Sequence, residues 1–143
     1  MERYMGLDIG NKTIGIALSD PLFMIANAHK TIKRTNVEKD IDDLEDTIRE
    51  FNVSRIIVGM PYNMNKTVGP QAQRVMSFID LLKRRVDNEI IYIDERMTTI
   101  SAERVLIESN VRREKRKEHI DKIAATYILQ SYLDARWLWK KLY

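Results

Sequence analysis

With 143 residues, 44% hydrophobic and 31% charged, the chain is long enough for one sizeable core and too apolar to remain disordered. It has no cysteine, which excludes disulfide frameworks and thiolate metal sites, and its net charge of +3 indicates a polyanionic partner only weakly. No apolar run approaches the roughly 18 residues that span a bilayer, and no signal peptide precedes the first apolar run. We therefore expect a cytoplasmic protein that does not enter a membrane.

The first part of the chain predicts three strands followed by a helix. Residues 4–9 and 14–19 are apolar runs separated by a Gly10-Asn11 turn signal, and 25–33 is a third predicted strand. Asn36 is a predicted helix N-cap, and Asn52 is expected to end the helix. The helical stripe between them is spaced by threes and fours: Val37, Ile41, Leu44, Ile48 and Phe51.

Strands and helices then alternate. Residues 55–59 and 89–93 are predicted strands, separated by a helix that begins after Pro70. Thr98 or Thr99 can cap a further helix, and the last helix carries apolar positions at Ile120, Ile123, Ala124, Tyr127, Ile128 and Tyr132. This order predicts a single α/β domain, 1–143, with a five-stranded mixed sheet flanked by helices.

Three acids stand where such a sheet could hold a metal ion. Asp8 ends the first strand, Glu95 follows the fifth, and Asp121 lies near the start of the last helix. If the first and fifth strands are parallel, Asp8 and Glu95 emerge at one edge, and the small Ala124 and Ala125 let the helix approach it. Acids are also common at strand ends and helix starts for structural reasons, so spacing alone leaves the site open.

Two further features allow two interpretations each. Asp94 and Glu95 are neighbours, so in a regular strand only one of them aims at the site, and the residues alone do not say which. Between the last two predicted helices lies a basic loop, either a phosphate-binding surface or a solvated segment. Its cations are opposed only by Glu114, and they are Arg112, Arg113, Lys115, Arg116 and Lys117.

Five motifs in order resemble one known family. The longest is Asp8-Ile9-Gly10-Asn11-Lys12-Thr13-Ile14-Gly15-Ile16-Ala17, which is similar to the opening motif of the YqgF family of RuvC-like Holliday junction resolvases, also described as pre-16S rRNA nucleases. The other four are Val58-Gly59-Met60-Pro61, the stretch 69–75, Asp94-Glu95-Arg96-Met97-Thr98-Thr99, and 120–125 continuing to Tyr132-Leu133. The resemblance covers nearly the whole chain, and five motifs at matching spacing make it specific.

The resemblance implies a ribonuclease H-like fold in which Asp8, Glu95 and Asp121 are the catalytic acids. Phosphodiester hydrolysis with such acids uses hard divalent cations, so we expect the three carboxylates to bind Mg²⁺ or Mn²⁺. The expected substrate is structured RNA, as in 5′ maturation of pre-16S rRNA, or alternatively branched DNA. The chain departs from the family at Thr13, where Arg is usual, and at Asn65-Lys66, where Asp-Gly is frequent.

Several other side chains are candidate contacts for nucleic acid. Lys12, Arg74 and Arg96 could hold phosphate oxygens, although Arg96 could equally pair with Asp94. Trp137 and Trp139 could stack on bases, but packing or anchoring of the tail is the more economical expectation.

Two other functional classes remain as alternatives. The Asp8-x-Gly10 turn also resembles the phosphate loop of actin-like and sugar-kinase ATPases, which use two such domains, and only one is found here. A non-catalytic nucleic-acid-binding module would not need three acids. Either a monomer or a homodimer is compatible with the sequence.

Overall fold

A computed structural model describes residues 1–63, 65–95 and 113–142, with only the backbone of 113–121. Five strands and three helices follow in chain order: β1 Arg3–Ile9, β2 Thr13–Ser19, β3 Ala26–Lys33, α1 Val37–Glu50, β4 Val53–Met60, α2 Pro70–Lys83, β5 Glu89–Asp94 and α3 Arg113–Leu142. None of the helices in these ranges is long and apolar enough to cross a bilayer.

The strands form one mixed sheet in the order β3-β2-β1-β4-β5. β1 pairs antiparallel with β2, and β2 with β3, whereas β1, β4 and β5 run parallel. The predicted hairpin start and parallel continuation are therefore confirmed. Because β1 and β5 point the same way, their carboxyl ends lie at the same edge of the sheet.

The two faces of the sheet are covered by different helices. On β1, Met5, Leu7 and Ile9 pack with buried residues of α1 and α2, while Tyr4 packs with Ala125 and other buried residues of α3. This alternation follows from the two-residue period of a strand. Each even position of β1 therefore faces α3.

Helix α1 begins and ends where the sequence predicts. The Asn36 side chain accepts a hydrogen bond from the Lys39 N–H at 2.9 Å, which satisfies one of the unpaired donors of the first turn. Asn52 has φ of 51°, in the left-handed region that asparagine tolerates better than most residues, and the chain then enters β4. Lys66 also has a positive φ, 67°, at one of the positions where the resembled family frequently has glycine.

Two glycines let α3 lie directly on the sheet. A Cβ at Gly6 would stand 2.6 Å from the Ala125 carbonyl oxygen and 2.8 Å from the Leu129 Cβ, and one at Gly59 would overlap the end of the Ile128 side chain. These close approaches fix how near the backbone of α3 comes to β1 and β4.

The prediction of a basic loop before the last helix is wrong for the part that is described. Arg113, Lys115, Arg116 and Lys117 lie in the first turns of α3. Lysine, arginine and glutamate are good helix formers and the segment has neither glycine nor proline, so charge alone was a poor indicator of a loop. Arg112 and the helix predicted after Thr98 or Thr99 lie outside the described residues.

Candidate active site

Asp8 and Glu95 reach the same face at the same edge of the sheet. Asp8 is an even residue of β1 and faces α3, with 6% of its surface exposed. On β5, Ile91 and Ile93 pack against the α3 side, so the alternation carries Glu95 to that side and Asp94 to the other. The alternation of side chains along β5 therefore puts Glu95, and not Asp94, on the same face of the sheet as Asp8.

Gly59 lies on the strand between these two carboxylates, and the end of the Ile128 side chain occupies the place of the missing Cβ. The pairs Leu7–Val58 and Gly59–Ile93 place Gly59 level with Asp8 on the intervening strand β4. Glu95 Oε2 lies 3.4 Å from the position that a Gly59 Cβ would occupy, and the Glu95 N–H donates to the Met60 carbonyl oxygen at 3.0 Å. A larger residue at 59 would collide with Ile128 and crowd the Glu95 carboxylate.

The backbone of Asp121 lies at this level on the third side. Ala125 of α3 contacts Gly6, and farther along the helix Tyr132 accepts a hydrogen bond from Arg55 near the start of β4, so α3 runs opposite to β1 and β4. Asp121 precedes Ala125 by four residues, about 6 Å along the helix. Asp8 follows Gly6 by two residues, about 6.6 Å along the strand. The side chain of Asp121 lies outside the described part.

The donor set matches a hard cation in chemical type. Asp8 and Glu95 offer carboxylate oxygens, the ligands that Mg²⁺ and Mn²⁺ prefer. Within the described side chains no group of three His, Cys, Asp or Glu residues is close enough to hold a metal ion. The sequence prediction that Asp121 supplies a third carboxylate falls on a side chain outside the described part.

Arg34 and Asp40 form a network around the turn after Asp8 that the sequence analysis missed. The Arg34 guanidinium donates to the Gly10 carbonyl oxygen at 2.7 Å and to the Asp40 carboxylate at 3.3 Å, and the Arg34 N–H donates to the Lys12 carbonyl oxygen at 2.9 Å. Asp40 is 1% exposed. The available signal was its position on the buried face of α1, three residues after Val37 and four before Leu44.

The predicted phosphate contacts fall into two groups. Lys12 lies in the exposed β1–β2 turn, and Arg74 on α2 borders, with Arg34 and Asn11, a groove of about 290 Å³ at the same edge. Arg96 lies outside the described residues, as do the side chains of the basic residues that begin α3. His29 lies on β3 with its ring 4.8 Å from that of Phe51, and burial lowers its pKa.

Comparison with known proteins identifies the family. The model of the family described as "RuvX: Holliday junction resolvase" matches residues 2–135. The chain belongs to the RuvX family. The RuvX relatives include a protein of Clostridium tetani, 51% identical over 93% of this chain and 96% of its own, and one of Thermoanaerobacter pseudethanolicus, 53% identical over 94% and 97%. Both are named "Putative pre-16S rRNA nuclease".

Solved structures confirm that this RuvX chain has the ribonuclease H-like fold of the resolvases. Thermus thermophilus RuvC in complex with a Holliday junction substrate has a TM-score of 0.60, 12% identity and coverage of 95% of this chain and 96% of its own. Fowlpox virus resolvase with junction DNA has a TM-score of 0.59 and 14% identity over 94% and 98%. At this identity the likeness establishes the fold, and the predicted five-stranded mixed sheet with flanking helices is correct.

Proposed function

We propose that this protein is a metal-dependent endonuclease that hydrolyses phosphodiester bonds of structured RNA in the cytoplasm, with precursor 16S rRNA as its substrate. The observation that carries the proposal is the convergence of Asp8 and Glu95 on one face at one edge of the sheet, on either side of Gly59 and at the level of the Asp121 backbone. It is supported by relatives of about half identical sequence that are named for this activity. RuvX family membership supports a hydrolase acting on nucleic acid.

The roles of the residues follow from their placement. Asp8 lies in a buried strand, and the backbone of Glu95 is fixed by its N–H, which donates to the Met60 carbonyl oxygen. Asp121 would complete the set from α3. Mg²⁺ or Mn²⁺ bound there would activate water and stabilise the leaving oxygen. Without a cation, three neighbouring carboxylates would repel one another, since two charges about 4 Å apart cost on the order of 4 kcal/mol at an effective dielectric near 20.

The rest of the site positions these acids and limits water. Ala125 and Ile128 of α3 are fully buried against the sheet, so solvent does not reach the acids through this contact. Arg34 holds the turn after Asp8 through the carbonyl groups of Gly10 and Lys12, which keeps the exposed Lys12 beside the site. Lys12 and Arg74 can then hold phosphates that flank the cleaved bond.

The test is cleavage of a pre-16S rRNA fragment carrying its 5′ extension, with Mg²⁺ or Mn²⁺ and with EDTA. Asp8→Asn, Glu95→Gln and Asp121→Asn should each abolish cleavage while the fold is retained, because each removes a ligand charge and little volume. Asp94→Asn is the matched control, since Asp94 faces the other side of the sheet, and Asp46→Asn is an exposed control on α1. Full activity of Asp8→Asn, or cleavage undiminished in EDTA, would refute the assignment.

Resolution of Holliday junctions is the second candidate, because the family description carries that activity and two of the matching folds were solved with junction DNA. Both reactions would use the same acids. A four-way DNA junction assayed beside the RNA under identical conditions separates them by relative kcat/KM. Preference for the junction would reassign the substrate and leave the catalytic residues in place.

A further inference from the structure

The C-terminal part of α3 extends beyond the region that the family shares. The helix has 30 residues, about 45 Å at 1.5 Å per residue, and the family match ends at residue 135. Beyond that point Trp137, Leu138 and Trp139 are 42%, 52% and 65% exposed. Neither tryptophan is buried in the core.

An apolar cavity of about 450 Å³ lies at the root of this extension, lined by Met24, Leu133, Asp134, Trp137 and Leu138. The loop that contributes Met24 is held in place. Gln130 donates to the Met24 carbonyl oxygen at 3.0 Å and accepts from the Ala26 N–H at 2.8 Å, while Asp20 accepts from the Met24 N–H at 2.7 Å. Large contiguous exposed apolar patches mark interaction sites, so this surface is a candidate for one.

Four residues near the C-terminal end of α3 share the face of the helix that points away from the sheet, and we call them the distal stripe: Asp134, Trp137, Leu138 and Lys141. Helical periodicity places them opposite Ala125, Ile128 and Tyr132, which face the sheet. All four are exposed, and the Lys141 ammonium lies 4.7 Å from the centre of the Trp137 ring, which keeps it on this face. The stripe has an apolar centre, an acid at one end and a base at the other.

The distal stripe is complementary to itself when reversed. Asp134 and Lys141 are equally far, about 5 Å along the helix, from the midpoint between Trp137 and Leu138. An antiparallel pair of α3 helices with its two-fold axis at that midpoint would bring Asp134 of each copy to Lys141 of the other, twice over. The same axis would place each Trp137 against Leu138 of the second copy, beside the apolar cavity. An isologous interface has this property, in which residue i meets j and j meets i.

We infer that the distal stripe is the interface of a homodimer in which two copies of α3 pack antiparallel. An anionic occupant, such as a phospholipid surface or RNA, would meet Asp134 at the edge of the apolar centre, whereas a second copy neutralises it. The candidate active site lies at the other end of the helix, since Asp121 precedes the two-fold axis by about 25 Å. The two sites would then lie about 50 Å apart, both open to substrate.

The test is the mass of the full-length chain in solution, by sedimentation velocity across a dilution series. The wild type should be dimeric. Asp134→Lys and Lys141→Asp should each weaken the dimer affinity on the order of tenfold or more, since each replaces two ion pairs by two like-charged contacts. An equimolar mixture of the two variants should recover the dimer, because the heterodimer restores both pairs. Lys140→Asp, with the same charge change off the stripe, is the control and should stay dimeric.

Several results would overturn the inference. A monomeric wild type throughout the series would do so, as would variants that fail to associate when mixed although circular dichroism shows them folded. Trp137-dependent binding of anionic phospholipid vesicles or of RNA by a monomeric wild type would assign the surface to that partner instead. The measurement needs no substrate, so its outcome is independent of whether Asp8→Asn abolishes cleavage.

Discussion

Replacing Gly6 by alanine tests the contact that sets the distance between α3 and the sheet. The new Cβ would stand 2.6 Å from the Ala125 carbonyl oxygen, whereas such contacts essentially never fall below 3.0 Å, so the helix backbone must retreat by about 0.4 Å. Overpacking of this kind costs about 1–3 kcal/mol. For a chain of 143 residues the unfolding entropy is about 0.3 kcal/mol/K, so the Tm should fall by about 3–10 °C.

Cleavage should suffer beyond the loss of stability, because the displaced helix carries Asp121. A misplacement of about 1 Å can cost on the order of 100-fold in rate, so a shift near half of that should lower kcat by about tenfold at a temperature where the variant is folded.

Gly59→Ala is the matched control for Gly6→Ala. Its Cβ meets the flexible end of Ile128, which can change rotamer, and not the helix backbone. The control should therefore lose less stability in thermal unfolding followed by circular dichroism. A Tm of Gly6→Ala equal to the wild type, or above that of Gly59→Ala, would refute the reasoning.

Three further predictions concern the metal, the basic segment and the loop after β2. Added Mg²⁺ should raise the Tm of the wild type more than that of Asp8→Asn, and at 100-fold the Kd it should add about 2.7 kcal/mol to the free energy of unfolding of the wild type. Equal Tm shifts in the two proteins would argue against a shared metal site. For the wild type, five phosphate contacts to single-stranded RNA at about −0.7 each would give a slope of log K against log salt near −3.5. Replacing Arg112, Arg113, Arg116 and Lys117 by glutamine should flatten this slope, and saturating substrate should restore much of the cleavage rate. Unchanged RNA binding by this variant at low salt would make the segment a solvated surface. Burial alone would raise the pKa of Asp20, but hydrogen bonds from the N–H groups of Ile25, Met24 and Leu22 outweigh burial and lower this pKa below 3.8. The stability that the Asp20 carboxylate provides is therefore present above pH 3.8 and is lost as the pH falls through the lower folded-state pKa. Identical acid unfolding of Asp20→Asn and wild type would contradict this.

The local pattern of residues was enough to predict the five strands and the first two helices. Alternating and continuous apolar runs located β1 to β5 within a few residues, and Asn36 marked the start of α1, because these signals act through neighbours along the chain. The same patterns and the five motifs indicated a mixed sheet with acids at its edge. Where charge was the only signal, at the start of α3, the prediction of a loop failed because helix propensity was not weighed against it.

What only the tertiary structure decided depends on contacts between distant parts of the chain. Packing of α3 on one face of the sheet determines that Glu95 lies on that face and Asp94 on the other. The register of β1, β4 and β5 places Gly59 between Asp8 and Glu95. The buried pairing of Arg34 with Asp40 likewise joins a loop to a helix face. A sequence fixes the period of each strand but not which face its helix covers, because that choice is made by packing across the whole sheet.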